Sequence, residues 1–291
     1  MPQTSLLCAR TNIGPFFQAS NFRHMKLLVT FLLLAELALP QAVAPPSQPI
    51  PVDQENSRKA KTILDAAIQA LGGQAYLNIQ DITQEGRTFS FHHGQPNSFG
   101  VRFWRFYKYP DKDRVELTPK RDVVYVYNGD KGYEVTFKGT RPLDTKELSD
   151  YLRRQHYALD RVLRQWLTEP RVALFYEGQA VTEGKSVDQI TVMNAKNEGV
   201  TLYIDSNDHL PVKKSFSWRD PTDKERNIEE EIYDNYRPVQ NTMTPHTVTR
   251  TYNGDMANQR FLTTVIYNQG ISDSKFEVQV TYDPNKGVPA R

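Results

Sequence analysis

The chain has 291 residues, of which 38% are hydrophobic, 24% charged and 11% aromatic, with 15 glycines, 18 prolines and one cysteine. This composition is typical of a globular protein, and it excludes a disordered chain, a collagen-like repeat and a small domain built on disulfides. The 36 basic and 34 acidic residues give a formal net charge of +2, so the concentrated basic face that a nucleic-acid binder needs is not indicated.

The N-terminal region has the three parts of a secretory signal. A basic start at Met25-Lys26 precedes the apolar run of residues 27–39, and Ala42-Val43-Ala44 provides small residues for cleavage. As a helix this run would be about 20 Å long, which is short of the roughly 30 Å hydrocarbon core of a bilayer. We therefore predict a signal peptide region over residues 1–44, no permanent membrane span, and a periplasmic or secreted protein. Residues 1–24 fit no part of such a signal, so Met25 is a candidate start of translation.

Loss of the signal region would change both the charge and the thiol content of the chain. Residues 1–44 contain three bases, one acid and Cys8, the only cysteine. The remainder is therefore formally neutral, and it cannot supply a thiol nucleophile, a disulfide or a cysteine-ligated zinc. Formal neutrality also favours an apolar ligand over a charged one.

The next segments predict a spacer and then a helix. Residues 45–56 are rich in proline and predict an extended spacer, and residues 57–291 predict a single domain. Ser57 can cap a helix that ends at Gly72-Gly73. Its apolar residues recur at the helical period and are Ile63, Leu64, Ala67, Ile68 and Leu71.

From Ile79 the apolar period changes to two, and turn signals recur every 8–12 residues or so. Asn128-Gly129 gives the strongest hairpin signal, because these residues tolerate the positive φ angles of a primed turn. The pattern predicts a mainly β fold with helices (α+β), an antiparallel meander of roughly 10–12 strands. It is interrupted once, over residues 143–167, where we predict two short helices joined near residues 155–157.

The strand over residues 101–109 is unusual because it carries apolar side chains on both faces. Phe103 lies on one face, and Trp104 and Phe106 lie on the other. Two interpretations remain open: a curved sheet around a helix and an apolar hollow, or ordinary packing on both sides of the sheet.

No pattern of residues indicates catalysis or a bound metal. His92 and His93 are adjacent and would face opposite sides of a strand, and the other histidines predict solvated loops. There is no nucleophile elbow. The acidic run at residues 229–231 predicts a solvated sheet edge. We therefore expect a protein that is not an enzyme, with no catalytic residues, no metal and no cofactor.

A series of turn and strand-end motifs follows the first helix in a distinctive order. They are Leu71-Gly72-Gly73, Ile79-Gln80-Asp81-Ile82, Tyr109-Pro110-Asp111-Lys112, Leu202-Tyr203-Ile204-Asp205, Asp208-His209-Leu210-Pro211, Tyr233-Asp234-Asn235-Tyr236 and Thr244-Pro245-His246. Over residues 57–280 this order resembles the LolA/LolB-like superfamily of periplasmic envelope proteins, particularly its outer-membrane lipoprotein-sorting-like branch.

The resemblance implies an unclosed antiparallel half-barrel wrapped around the N-terminal helix, with residues 143–167 as a helical lid over an apolar cavity. Its best-known members accept lipoprotein acyl chains there. The implied cavity or lid contacts, each of which could equally be a core residue, are Phe103, Trp104, Phe106, Leu163, Trp166 and Phe175. The arginine that locks the lid in the family cannot be assigned among Arg87, Arg102 and Arg105.

Two functions follow as expectations. The first is a non-enzymatic exported carrier or binder of lipoprotein acyl chains, lipid or another apolar ligand in the cell envelope. The alternative is an envelope scaffold or assembly protein that binds protein partners through its sheet and has no ligand cavity.

Overall fold

The computed structural model describes residues 52–97 and 99–282. The predicted signal region and residues 45–51 of the predicted spacer lie outside this part of the chain. The helices are α1 (Val52–Leu71), α2 (Gln74–Leu77), α3 (Thr145–His156) and α4 (Leu159–Arg164), with short 3-10 helices at Trp166–Thr168 and Asp273–Phe276. The strands are β1 (Asp81–His92), β2 (Gln95–Pro96), β3 (Val101–Lys108), β4 (Lys112–Leu117), β5 (Val123–Asn128), β6 (Lys131–Thr136), β7 (Gly139–Pro142), β8 (Ala173–Thr182), β9 (Lys185–Met193), β10 (Gly199–Asp205), β11 (Pro211–Arg219), β12 (Arg226–Val239), β13 (Thr242–Tyr252) and β14 (Asp255–Tyr267).

All the strands belong to one antiparallel sheet, in the order β7-β6-β5-β4-β3-β1-β14-β13-β12-β11-β10-β9-β8, with β2 paired to β1 alone. The meander starts at the centre with β1 and runs outward to the edge strand β7. After α3 and α4 it resumes at the opposite edge, β8, and returns to β14 beside β1. The sheet is unclosed, which confirms the predicted fold class. Because the two edge strands are consecutive in the chain, the helices between them must cross from one half of the sheet to the other.

The sheet has 14 strands rather than the predicted 10–12. The two strands that periodicity missed are β2, with two residues, and β7, with four. Segments this short do not contain enough alternation for a period of two to be recognised. The hairpin at Asn128-Gly129 and the two helices within residues 143–167 are confirmed.

Helix α1 begins at Val52 rather than after Ser57, so residues 52–56 of the predicted spacer are helical. Asp53 and Glu55 lie in its first turn, where acidic side chains interact favourably with the helix dipole. Asn56 also anchors this turn to the edge strand β8, because its side chain exchanges two 2.8 Å hydrogen bonds with the backbone N–H and C=O of Tyr176.

The main core lies between α1 and the second half of the sheet. One stripe of α1 is fully buried, and it packs with side chains of β9 and β10 in a single cluster. The buried residues of this stripe are Ala60, Leu64, Ala67 and Leu71, which recur at the helical period. Of the predicted apolar residues, Ile63 and Ile68 are only partly buried, and Ala60 was not among them.

The C-terminal segment covers part of the convex face of the sheet. Asp81 accepts hydrogen bonds from the backbone N–H groups of Gln269 (2.8 Å), Gly270 (2.9 Å) and Ile271 (3.2 Å). Beyond this anchor, Phe276 is buried against Val124 and Val126 of β5.

Two expectations about polar residues were wrong. The acidic run at residues 229–231 is not a solvated edge, because β12 lies inside the sheet between β11 and β13. Glu229 is buried and pairs with Arg153 of α3 at 3.0 Å. His246 is also not in a solvated loop, since it is buried on β13 with its Nδ1 3.0 Å from the carbonyl oxygen of Thr244. Local sequence did not reveal that these strands are internal.

Candidate functional site

A cavity of about 540 Å³ lies between the concave face of the sheet and the lid of residues 143–167. Its lining is mostly aromatic and aliphatic. Apolar lining residues include Leu71, Ile79, Ile82, Phe103, Val115, Leu117, Leu159, Met243, Val248 and Leu262. Tyrosine lining residues are Tyr76, Tyr107, Tyr109, Tyr125, Tyr127, Tyr151, Tyr233, Tyr236 and Tyr267.

The pleat of the strands decides which side chains reach this cavity. On β3, Phe103, Arg105 and Tyr107 line it. The intervening Trp104 and Phe106 point to the convex face, because successive side chains of a strand alternate between faces. The two apolar faces of this strand are therefore explained by a cavity on one side and covering residues on the other.

Asp160 of α4 is held by two tyrosine hydroxyls. Tyr76 donates to one carboxylate oxygen at 2.8 Å, and Tyr109 donates to the other at 2.5 Å. Burial, reinforced by the charge of Asp160, raises the pKa of both tyrosines well above the ordinary value. Both hydroxyls therefore remain hydrogen-bond donors at physiological pH, and they fix α4 to α2 through Tyr76 and to the end of β3 through Tyr109.

The lid is attached to the first half of the sheet through Asp113. Arg105 donates to the carboxylate of Asp113 from Nη2 at 2.8 Å and from Nε at 2.9 and 3.1 Å, and Tyr151 of α3 also donates to it, at 3.1 Å. Burial lowers the pKa of Arg105, but the neighbouring Asp113 outweighs burial and raises the pKa of Arg105 above the ordinary value. The ring of Tyr151 also stacks on Tyr127, with centroids 3.4 Å apart.

The same lid is attached to the second half of the sheet by two further contacts. Arg153 of α3 pairs with Glu229 on β12 at 3.0 Å. Lys214 of β11, which is almost completely buried, donates from Nζ to the carbonyl oxygen of Tyr157 at 2.7 Å. The helices thus bridge both halves of the unclosed sheet and enclose the cavity from its open side.

A group of charged side chains lies on the concave face of β12, β13 and β14. Glu231 has Lys214 at 3.3 Å and Arg260 at 3.9 Å, and it accepts a 2.9 Å hydrogen bond from Tyr233. Burial would raise the pKa of Glu231, but Lys214 and Arg260 outweigh it and lower the value to about 2. The carboxylate is therefore ionised over the whole physiological range.

Of the six predicted site residues, Phe103 lines the cavity and the other five do not. Trp104 lies on the convex face between Arg102 and Arg121, which are 4.7 and 4.1 Å from its ring centroid. Phe106 is on the same face against Lys275, 3.8 Å from the ring centroid. These two placements correct the prediction, and their reason is the alternation of the strand.

The remaining three predicted residues do not line the cavity either. Leu163 and Trp166 belong to the lid of residues 143–167, but their side chains are buried in the main core, where the ring of Trp166 lies beside that of Tyr157. Phe175 is 43% exposed on the edge strand β8. The alternative interpretation of these residues, that they are core residues, therefore fits Leu163 and Trp166 but not Phe175.

Sequence reasoning missed the tyrosines and arginines of the cavity. On β3, the shared face of Phe103, Arg105 and Tyr107 could have indicated lining residues. No sequence pattern, however, indicated on which side of the sheet the cavity lies. Of the three arginines considered for the lid, Arg105 lines the cavity, Arg102 is on the convex face and Arg87 is exposed. Among the described residues there is no group of histidine, cysteine, aspartate or glutamate suited to a metal ion.

No protein-family model and no curated protein sequence matches the chain. Solved structures with a similar fold include a DUF1329 family protein from Desulfovibrio piger, at 12% identity and a TM-score of 0.54, covering 75% of this chain and 97% of that one. An outer membrane lipoprotein-sorting protein domain from Vibrio parahaemolyticus matches over the same shares, at 12% identity and a TM-score of 0.48. A LolA superfamily protein from Nitrosomonas europaea does so at 10% identity and a TM-score of 0.47.

The protein is thus an unclosed antiparallel half-barrel whose concave face and helical lid enclose a cavity. The likeness to the Desulfovibrio piger structure shows a shared fold, and at this level of identity it shows the fold alone. The unclosed antiparallel half-barrel that the sequence motifs implied is confirmed.

Proposed function

We propose that this protein is a non-enzymatic, exported carrier or binder of an apolar ligand, such as a lipid or the acyl chains of a lipoprotein, in the cell envelope. The observation that carries the proposal is the cavity of about 540 Å³ under the lid. Its volume falls in the range of roughly 300–1,000 Å³ that small-molecule sites occupy. The scaffold alternative expects such a hollow to be filled by side chains, and the cavity argues against it.

The energetics of an acyl chain fit this cavity. Each buried methylene contributes about 0.8 kcal/mol, so ten well-covered carbons would reach about 8 kcal/mol, which corresponds to micromolar affinity. The tyrosine rings offer large apolar surfaces at little cost in side-chain entropy. Entry and release would require the lid to move, and in this proposal Arg105 is the lid-holding residue, since it binds the same carboxylate as Tyr151.

The export part of the proposal rests on the N-terminal sequence. A basic start, an apolar run and a small-residue end precede the described domain. Within residues 52–97 and 99–282, no helix is both long and apolar enough to cross a bilayer. We place the protein in the periplasm or outside the cell, where envelope proteins would be its delivery partners.

Native mass spectrometry with lipid extraction tests the proposal. The full chain is expressed with its signal region in a Gram-negative host and purified from the periplasm. We expect co-purifying lipid or acyl peptide, and displacement of an uncharged naphthylamine probe by dodecanoate. An empty protein that also fails to bind the probe would refute the carrier function.

A matched pair of variants localises the binding. Val115 lines the cavity on β4, so Val115→Trp should fill part of it and lower lipid content and probe affinity at least about tenfold. Val181 is 77% exposed on β8, so Val181→Trp adds the same indole outside the cavity and should change neither. Equal binding by both variants, with circular dichroism spectra like the parent, would contradict a ligand site in this cavity.

A further inference from the structure

The cavity carries more positive than negative charge at one part of its lining. Arg250 of β13 and Arg260 of β14 are diagonal neighbours on the concave face, because Arg250 pairs with Asn258 and Arg260 with Val248. Arg154 enters the same lining from α3. All three side chains are half-buried, and all three line the cavity.

The carboxylates of the lining are already engaged elsewhere. Asp113 is bound by Arg105 at 2.8 Å, and Asp160 accepts from two tyrosines. Glu231 has Lys214 at 3.3 Å as its nearer cation, with Arg260 at 3.9 Å. Among the other arginines of the lining, Arg161 donates to the carbonyl oxygen of Pro110 at 3.3 Å, and Arg154, Arg250 and Arg260 have no carboxylate of their own.

Two of these three arginines, Arg154 and Arg250, have side chains without a bonded partner among the described residues. Within the described residues, the guanidinium groups of Arg154 and Arg250 make neither a hydrogen bond nor an ion pair, although Glu231 lies opposite Arg250 in the pairing of β12 and β13. The only close partner of Arg260 is the shared Glu231. An arginine that is removed from bulk water without a partner is costly, and guanidinium groups bind carboxylates and phosphates in a bidentate manner.

The pKa shifts of Arg250 and Arg260 agree with the shortage of carboxylate partners. Burial, followed by repulsion from Arg154, lowers the pKa of Arg250 below the ordinary value and outweighs the opposite effect of Glu229 and Glu231. Burial also lowers the pKa of Arg260, where Arg105 adds repulsion and Glu231 compensates in part. The cavity lining thus holds cations that an incoming anion would stabilise.

We propose that the ligand of this cavity is an anionic amphiphile, whose carboxylate or phosphate head group is bound by Arg154, Arg250 and Arg260 while its chain lies along the aromatic and aliphatic lining. This inference rests on the proposed carrier function and adds the chemistry of the head group. Arg154 belongs to α3, so a bound head group would also link the lid to the sheet.

Calorimetric titration of the purified and delipidated full-length protein tests the head group at neutral pH. The ligands are dodecanoate, dodecyl phosphate, the uncharged dodecanol and inorganic phosphate. Hydrogen bonds to charged groups are stronger than those between neutral groups, so both anionic amphiphiles should bind at least about tenfold more tightly than dodecanol. Equal affinities for the anionic and the uncharged chains would overturn the inference and leave the carrier function intact.

Substitution of the arginines tests their role. Arg250→Gln and Arg260→Gln should each lower the affinity for dodecanoate about tenfold while leaving that for dodecanol unchanged. Arg102→Gln on the convex face is the control and should change neither. If the preference for the anionic chain survives in both cavity variants, the arginines do not bind the head group. Should a variant fail to fold, the preference of the unmodified protein and its loss with added salt still decide the matter.

Two further outcomes separate this inference from the carrier function. Binding of neither dodecanol nor dodecanoate would overturn the carrier function and the head-group assignment with it. Binding of inorganic phosphate without binding of any chain would make the cavity a site for small anions, which also overturns the assignment to an amphiphile.

Discussion

The strongest prediction on stability concerns Glu231, which compensates two cations inside the half-barrel. Its carboxylate lies 3.3 Å from Nζ of Lys214, whose side chain is only 1% exposed. Replacing Glu231 by glutamine keeps the shape of the side chain and removes its charge. The variant therefore leaves Lys214 without its carboxylate, which is costly because a buried charge then lacks compensation.

The magnitude follows from the pKa of Glu231. Burial would raise this pKa, yet Lys214 and Arg260 lower it from the ordinary 4.5 to about 2. A difference of this size contributes about 3 kcal/mol to the free energy of unfolding at pH 7. Because the pKa is depressed on folding, this contribution is complete above pH 4.5 or so and declines as the pH falls towards 2. We expect about 1 kcal/mol to remain at pH 3.

Urea denaturation of the parent protein and of Glu231→Gln at pH 7, 5, 4 and 3 measures this contribution. The stability difference between the two proteins should be constant from pH 7 to pH 5 and should shrink at pH 4 and 3. Glu230→Gln is the matched control, since Glu230 is the next residue on β12 and pairs with Lys213 at 3.2 Å on the other face. It should cost no more than about 1 kcal/mol. A stability difference for Glu231→Gln that does not depend on pH would refute the reasoning.

Two further predictions concern the lid and the core. Tyr151→Phe keeps the aromatic stack but removes the 3.1 Å hydrogen bond to Asp113. We therefore expect the free energy of unfolding to fall by about 1–3 kcal/mol and amide hydrogen exchange in α3 to become faster. Unchanged exchange would mean that this bond does not hold the lid. Trp166→Ala should destabilise the protein by about 3–5 kcal/mol in chemical denaturation, because its side chain is 1% exposed. Phe175→Ala, at a side chain that is 43% exposed, should cost less than about 1 kcal/mol, and equal losses for the two variants would contradict the assignment of Trp166 to the core.

Much of the architecture could be predicted from local patterns. The stripe of α1 at the helical period, the hairpin at Asn128-Gly129 and the helical interruption over residues 143–167 are all present. These features depend on residues close together in the chain, so the sequence carries their signal directly. The start of α1 and the two shortest strands were missed, because a helix end and a strand of two or four residues leave little periodic signal.

The cavity could be predicted only in part, because its walls depend on register and on long-range pairing. The register of β1 against β14 shifts between Glu85 and Gly86. Such a shift changes which side chains point to each face of the sheet on either side of it. At that point a Cβ on Gly86 would lie 2.1 Å from the carbonyl oxygen of Phe261, so the close approach requires glycine. Such a shift cannot be inferred from one strand alone, and it decides which side chains face the cavity.

The sequence by itself determined the class of fold and the balance of charge. Apart from residues 1–44, bases and acids are equal in number, and this neutrality favoured a purely apolar ligand. The tertiary structure decided where the charges lie, because pairing of β12, β13 and β14 places Glu231, Arg250 and Arg260 on one concave face. Electrostatic interactions depend on distance and burial rather than on totals, so a formally neutral chain can enclose a cavity whose lining is locally positive.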